Sequence, residues 1–347
     1  MTAVGIDIGG TKIETQIFDE SWAKIASQRV ATPTNYAGLI DAIAQQVEWA
    51  ETHANGAPIG IGSAGLVNPA TGLALTANLP ATGQPLIADI EARVGRRVYY
   101  INDCSALTLS ESEIGAGRDA RVVVGLVLGT GVGGGVAVDG RLIEGPAGIG
   151  GEFGHVQAPA RVVLAHNLPA VACGCGRTGC VETLIAGPGL SRLAKLKTGQ
   201  ELDPAGIAAQ RKTDPDLAKV WAIWCDLVAE LLLTITFTVD PDVVVLGGGL
   251  SRIDGMAQDI SDALRSVQLK GFRTPEVRIA EGGDASGARG AAFHARSEAS
   301  HVWDFAPHRV PEQKRPRCGY SVGLLCASRR DQRQFGACCQ TRARHRD

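Results

Sequence analysis

No run of eighteen or more consecutive apolar residues occurs in this chain of 347 residues, and a run of that length is what a bilayer-crossing helix needs. The opening MTAVGIDIGG lacks a basic stretch followed by a long apolar segment, so a secretory leader is not expected. Both absences point to a cytoplasmic protein with no membrane partner. Aromatic residues are scarce at 5% and methionine occurs twice, so a core must come mostly from Val, Ile, Leu and Ala. With 45% hydrophobic residues, the chain has enough apolar mass for two domains. A positive surplus is missing as well. The formal charge is -2, and because residues 297–347 hold ten Lys/Arg against five Asp/Glu, residues 1–296 stand at -7. Surfaces for nucleic-acid backbones need clustered Lys and Arg, so nucleic acid is not an expected partner.

Glycine, in contrast, is abundant, with 44 residues. It suggests tight turns and loops whose backbone closes on phosphates or small polar ligands. Of nine cysteines, Cys318, Cys326, Cys338 and Cys339 lie in the basic tail, Cys104 and Cys225 stand alone, and Cys173, Cys175 and Cys180 crowd into eight residues. Gly174, Gly176 and Gly179 separate these last three and let their thiols converge. In a chain read as cytosolic, such a cluster favours a metal over a disulfide framework.

Strand and helix signals alternate from the start, as in an α/β protein. AVGIDIGGTKIETQIFD reads as two strands around a turn at Gly9, Gly10 and Thr11. A helix (YAGLIDAIAQQVEWAETHA), a buried strand (IGIGSAGLV), a helix (PLIADIEARVG), the strand RVYYIND and the helix CSALTLSESEIGAG follow. The order then repeats. VVVGLVLGTGVGGGVAVDGRLI is again strand, glycine turn and strand, about 120 residues after the first hairpin. The long apolar helix DLAKVWAIWCDLVAELLLTITFTVD, the strand PDVVVLGGGLS and a helix near ASGARGAAFHARSE complete the series. The expected architecture is two similar α/β lobes around a cleft: 1–117, then 118–283, with the helix about 284–296 returning to the first lobe. From about Ser297 the periodicity fails, and residues 297–347 are expected to be a disordered basic tail, the composition that reading on past an end near Arg296 would produce.

Neither glycine turn fits the P-loop spacing, and neither opens a helix as a dinucleotide fingerprint must. DIGGTK (Asp7–Lys12) and LGTGVGGG (Leu128–Gly135) instead join strand to strand; each alone is also explained by glycine making a tight hairpin, but together they suggest backbone N–H groups presented to a polyphosphate from both sides of the cleft. Asp7 suits Mg²⁺ held through water, and Thr11, Lys12 and Thr130 suit phosphate oxygens. Asn102 and Asp103 sit at the C-terminal end of a strand, where α/β folds assemble ligand sites, and a carboxylate there can take a proton from a hydroxyl; a turn or helix cap explains the pair equally well.

Taken in order, GIDIGGTK, IND, LGTGVGGG, GEFGH, CGCGRTGCVE and VVVLGGGLS resemble the ROK family of sugar kinases, within the hexokinase superfamily. The resemblance runs from residue 4 to about 296. TANLPATGQPLIADI, the spacer from His155 to Cys173, and GGDASGARGAAF are most similar to bacterial N-acetyl-D-glucosamine kinases, with the family's fructokinases and glucokinases as alternatives. The resemblance implies a two-lobed actin-like ATPase, or ribonuclease H-like, fold. It implies an ATP- and Mg²⁺-dependent transfer to the 6-hydroxyl of an amino sugar, with Asp103 as general base, and a homodimer. Gly65, Asn78, Asn102, Glu152, His155 and Glu182 would bind the sugar. Asp7, Gly9, Gly10, Thr11, Lys12, Gly129, Thr130, Gly131, Gly247, Gly248 and Gly249 would meet ATP. His155, Cys173, Cys175 and Cys180 match the zinc ligands, a Cys₃His set with no open position and hence structural, within a loop at 151–182. His155 would then face metal with one ring nitrogen and sugar with the other; His166 reads as a surface residue. One departure stands out: Ser63-Ala64 precedes Gly65 where the family carries Ile/Val-Pro, which bears on sugar preference. The family's DNA-binding regulators carry a helix-turn-helix ahead of the kinase-like body, and with the first strand at residue 4 none is expected here. A catalytically silent sugar sensor is the non-enzyme alternative.

Overall fold

A computed structural model of the protein describes residues 1–301. The cysteines and arginines expected in a disordered tail lie outside the described residues from 302 onward.

The first part of the chain runs β1 (Ala3–Ile8), β2 (Lys12–Phe18), β3 (Lys24–Ala31), α1 (Tyr36–His53), β4 (Ile59–Ser63), a two-stranded flap of β5 (Leu66–Val67) and β6 (Ala74–Leu75), α2 (Leu86–Val94), β7 (Tyr99–Asn102) and α3 (Asp103–Ile114). The second part runs β8 (Val122–Leu128), β9 (Val132–Val138), β10 (Arg141–Leu142), α4 (Ala160–Ala165), α5 (Glu182–Ile185), α6 (Gly187–Thr198), α7 (Pro204–Gln210), α8 (Pro215–Val239), β11 (Val243–Gly247), α9 (Met256–Val267), β12 (Glu276–Ile279) and α10 (Ser286–His301). Sequence reading missed β3, β12 and α9. The first two are edge strands whose half-exposed faces carry no long apolar run, and α9 is a short amphipathic helix amid polar residues. α10 also continues to His301, five residues into the stretch expected to be unstructured.

Two five-stranded sheets share one topology. The first has the order β3-β2-β1-β4-β7 and the second β10-β9-β8-β11-β12. In each, an antiparallel hairpin leads into parallel pairing, β1 with β4 and β7 beyond, β8 with β11 and β12 beyond. The central strands are buried on both faces, which explains their continuous apolar sequences.

Two helices do not stay with the sheet they follow. α3 leaves the first sheet and packs on β8 and β9 of the second, while α10 leaves the second and packs on β1 and β4 of the first, and the two helices pack against each other. Glycines in the strands make this possible. A Cβ on Gly5 would collide with the Ala288 carbonyl of α10, and one on Gly125 with the Thr108 hydroxyl of α3. Much of the glycine that composition suggested for ligand loops therefore serves helix-on-sheet contact.

The second lobe's core centres on α8, which starts with Asp214 as N-cap and Pro215 inside its first turn. α8 is long and apolar enough to cross a membrane by composition, yet it turns Leu217, Val220, Trp224, Leu227 and Leu231 into the core, and the Trp224 indole N–H donates to the Ile185 carbonyl at 2.9 Å. A core helix satisfies that composition for its own reason.

Candidate functional site

At the C-terminal end of the first sheet, β7 passes directly into α3. Asn102 is the N-cap: its Oδ1 accepts from the N–H groups of Cys104 and Ser105, and its Nδ2 donates to the Gly65 carbonyl at 2.9 Å. Three of the side chain's hydrogen-bonding positions are thus used inside the protein, and the side chain also hydrogen-bonds the neighbouring Asp103 carboxyl, a bond that opposes the rise in its pKa from burial. The structure shows Asn102 in the cap role. The Gly65 carbonyl also accepts from the Tyr100 hydroxyl at 3.1 Å, and that hydroxyl is 3.1 Å from Oγ of Ser63, which is fully buried. This explains the Ser63 departure: the hydroxyl pairs with a neighbouring phenol on β7. Gly65 has φ +116, and a Cβ there would strike the carbonyl of Leu75, so the turn is pressed under the β5–β6 flap. The same flap brings Asn78 over the first glycine turn, where a Cβ on Gly10 would sit 3.1 Å from Cβ of Asn78.

Asp103 is the first residue of α3, with its Oδ1 accepting from the N–H of Cys104 at 2.9 Å. Burial raises its pKa above the usual aspartate value, against the lowering effect of that hydrogen bond. Burial likewise raises Glu152. The charges of Asp103, Glu152 and Glu182 all act on the Cys104 thiol, whose pKa burial also pushes up, so the three carboxylates face one region although they come from both lobes. Glu182 is held by the Val132 N–H, which donates to its Oε2 at 2.7 Å. It thereby reaches the end of the second glycine turn, and a Cβ on Gly131 would lie 2.9 Å from the same oxygen.

The thiol cluster stands behind these carboxylates. One ligand atom from each of His155, Cys173, Cys175 and Cys180 lies within 4.8 Å of the others. Sγ of Cys175 and Cys180 are 3.6 Å apart, and Nδ1 of His155 is 3.7 Å from Sγ of Cys173. A tetrahedral ion with bonds of about 2.3 Å puts its sulfur ligands roughly 3.8 Å apart, so the four side chains fit one. Nε2 of His155 points the other way, 3.6 Å from Oε2 of Glu152, and Glu182 touches the cluster through Oε1, 3.6 Å from Sγ of Cys173. His166 is not among the four; it closes α4.

Beside the second glycine turn a cavity of about 660 Å³ opens between the turn, α6 and α7. Gly129 and Thr130 form one wall, Gly249 and Leu250 another, and Gly187, Pro188 and Ser191 of α6 with Pro204 and Ala205 of α7 a third. The Gly187 N–H donates to the Gly129 carbonyl at 2.8 Å, fixing the start of α6 beside the turn, and a helix start favours an anion. Of the three glycines at 247–249 only Gly249 lines the cavity: Gly247 packs on Leu107, and Gly248, with φ +84, turns beneath Leu128. Gly9, Gly10, Thr11 and Lys12 form the first hairpin turn, closed by the Gly9 N–H on the Lys12 carbonyl. Nζ of Lys12 is 3.4 Å from Glu14, and Asp7 lies under the start of α10. Sequence reading missed α6 and α7 as cavity walls, although Pro188 and Pro204, each just inside a helix start, were available signals.

Residues 3–298 match the model of the ROK family. The chain belongs to the ROK family. It is 38% identical over 293 residues to the N-acetylgalactosamine kinase AgaK of Shewanella sp. (strain ANA-3), covering 83% of this chain and 95% of that protein. It is also 38% identical over 295 residues to an N-acetyl-D-glucosamine kinase of Pectobacterium atrosepticum, covering 83% and 97%. Among solved structures, a ROK hexokinase from Thermus thermophilus matches with a TM-score of 0.77 and 32% identity over 86% of this chain and 99% of that one. A ROK glucokinase from Streptomyces griseus, in complex with glucose and AMPPNP, matches with a TM-score of 0.67 and 28% identity over 86% and 100%. The fold of this ROK protein is accordingly the two-lobed one of actin-like ATPases and hexokinases.

Proposed function

We propose that the chain transfers the γ-phosphoryl group of ATP to the 6-hydroxyl of an amino sugar, N-acetyl-D-glucosamine first. The observation that carries this reading is Asp103: a carboxylate fixed at a helix start, poised between the Gly65 turn and the Glu152–Glu182 pair, with a glycine turn in each lobe nearby. The sugar 6-oxygen attacks the γ-phosphorus, the bond to the β–γ bridging oxygen breaks, ADP leaves, and the hydroxyl proton passes to Asp103. In a loose transition state that proton leaves late, so alignment and charge neutralisation supply most of the acceleration. Mg²⁺, with Asp7 as the residue to hold it through water, would supply neutralisation of the phosphate charge when bound.

Gly65, Asn78, Asn102, Glu152, His155 and Glu182 contact the sugar in this reading, and the cavity against Gly249, Gly187 and Ala205 takes the nucleoside. His155, Cys173, Cys175 and Cys180 would hold zinc, which would fix the loop, while Nε2 of His155 lies on the side of Glu152 and the sugar. We also read the enzyme as a cytoplasmic homodimer. N-acetylgalactosamine is the second acceptor, because the Shewanella relative is named for it at the same identity. A coupled ADP-release assay on the full chain with ATP and Mg²⁺ tests the proposal, offering N-acetylglucosamine, N-acetylgalactosamine, N-acetylmannosamine, glucose, fructose and mannose in parallel. Preference for N-acetylglucosamine is the expected result. Another favoured sugar keeps the mechanism and changes the substrate, and silence with every sugar sinks the kinase reading in favour of a sensor.

A further inference from the structure

Glu111 is a fully buried carboxylate far along α3 from the site. Eight residues separate it from Asp103, about 12 Å of helix, so it touches no reacting group. Its oxygens are nevertheless saturated. Oε2 accepts from the N–H groups of Ala116 and Glu281, and Oε1 from the N–H of Gly282 and the hydroxyl of Ser286, all at 2.9 Å. Four donors use the four lone-pair positions that a carboxylate offers. Arg289 stands 3.6 Å away, and its Nε donates to Ser110 on the turn of α3 just before.

These donors belong to two specific places. Ala116 lies where the chain first crosses from the first sheet to the second, between α3 and β8. Glu281 and Gly282 lie where it crosses back, between β12 and α10, and Ser286 opens α10. One side chain therefore ties both crossings together. Each tied helix also carries part of the site: α3 begins with Asp103, and α10 begins at Asp7, since a Cβ on Gly287 would lie 2.9 Å from the Asp7 carboxyl.

We infer that Glu111 is a positioning residue for phosphoryl transfer, joining the two crossings so that Asp103 and Asp7 keep one relative placement. The inference rests on the kinase reading and deepens it. Its signature follows from where each ligand binds. The nucleoside cavity is lined by the second part of the chain alone, so a nucleotide meets an intact wall when the joint loosens, whereas the sugar, held by Gly65 and Asn102 from the first part and by Glu152, His155 and Glu182 from the second, loses part of its fit. The alignment between the two ligands, realised in the transition state, suffers most.

The test compares the full chain with Glu111→Gln and Ser286→Ala, measuring kcat and KM, sugar and AMPPNP binding separately by calorimetry, and Tm. Glu111→Gln turns an amide N–H toward donors, and we expect kcat to fall at least thirtyfold while the AMPPNP Kd stays within threefold and the sugar Kd rises by less than tenfold. Ser286→Ala removes one bond in a protein that keeps its carboxylate, and kcat should fall three- to tenfold with the same split. A kcat within twofold of wild type in Ser286→Ala, or a folded Glu111→Gln with kcat within threefold, overturns the inference. So does a fall in kcat matched by equal losses in both Kd values, which is what a merely structural role gives. Wild-type silence toward every sugar overturns the kinase reading and this inference together, whereas an active wild type with unaffected variants overturns the inference alone.

Discussion

The two lobes repeat one sheet topology but hold their site residues by different means. In the first lobe, Asp103 and Asn102 follow directly from a sheet strand, and Ser63, Tyr100 and Gly65 lock the neighbouring turn with hydrogen bonds. In the second, Glu152, His155 and Glu182 come from a long segment between β10 and α6 with little regular structure, and a cluster of one histidine and three thiols gathers it. A strand end inherits rigidity from the sheet. An irregular segment must obtain it from a cross-link, and a metal does this in few residues. The lobes should therefore fail differently when broken.

The first lobe fails in chemistry and not in stability. Asp103→Asn should lower kcat by about 10² to 10⁴, the range for a lost general base, with sugar binding near normal. Because burial raises the Asp103 pKa, the folded protein binds more protons than the unfolded chain between the ordinary and the raised value. Stability then falls as pH rises through that window, and at neutral pH the charged group costs free energy that the amide does not. Tm of Asp103→Asn should thus equal or exceed that of wild type. The same raised pKa puts the acid limb of the kcat/KM profile above the ordinary aspartate value of about 3.9. Activity within tenfold of wild type would remove Asp103 as the base.

The second lobe should fail the opposite way. Cys175→Ser, or a strong chelator, should release one metal per chain and lower Tm by several degrees. KM for the sugar should rise tenfold or more, with a smaller change for ATP, since Glu152 and His155 lie on the released segment. Metal analysis beside calorimetry decides this, and unchanged metal content with unchanged Tm discards the cross-link.

The difference between the lobes also governs what could be read before the structure. Hairpin, glycine turn and strand are local patterns, so β1, β2, β8 and β9 and the repeat were legible, as were α8 and the Asn102 cap. Cys173, Cys175 and Cys180 announced their own convergence, because no packing demand crowds thiols so closely, and the structure gathers them with His155 into a cluster that could hold a metal. What stayed hidden was long-range. The return of the last helix to the first lobe was already expected, but that α3 packs on the second sheet depends on Gly125 leaving room for Thr108, and a glycine in a strand reads only as a weak strand. Glu111 looked like any polar residue of a helix, since its four donors come from segments up to 175 positions distant. The walls of the cavity from α6 and α7 were hidden for the same reason.

Those walls give a smaller effect that separates the ligands. Ala205→Trp fills part of the 660 Å³ cavity from an exposed position on α7, so folding should be spared. KM for ATP should rise about tenfold, the scale of a hydrophobic pocket losing fit, with KM for the sugar unchanged. A parallel rise for both ligands would mean that the cavity does not belong to the nucleotide alone.

The smallest effect probes the first lobe's hydrogen-bonded turn. Burial pushes the Tyr100 pKa up to about 12, so its hydroxyl stays protonated and donates to the Gly65 carbonyl over the working range of pH. Tyr100→Phe removes that donor and keeps the ring's packing, at a cost of about 1 kcal/mol, or roughly fivefold in sugar KM if the turn contacts the sugar. Gly65 still has Asn102 as a donor, which is why the loss is modest. The buried Ser63 hydroxyl, however, is left without its phenol partner, and an unpaired buried hydroxyl is costlier than no hydroxyl at all. Ser63→Ala added to Tyr100→Phe should therefore recover part of the loss, whereas Ser63→Ala alone should stay close to neutral because Tyr100 keeps its bond to Gly65. If the two substitutions simply add, Ser63 and Tyr100 do not act as a pair, and the Gly65 turn owes its place to the flap and Asn102 alone.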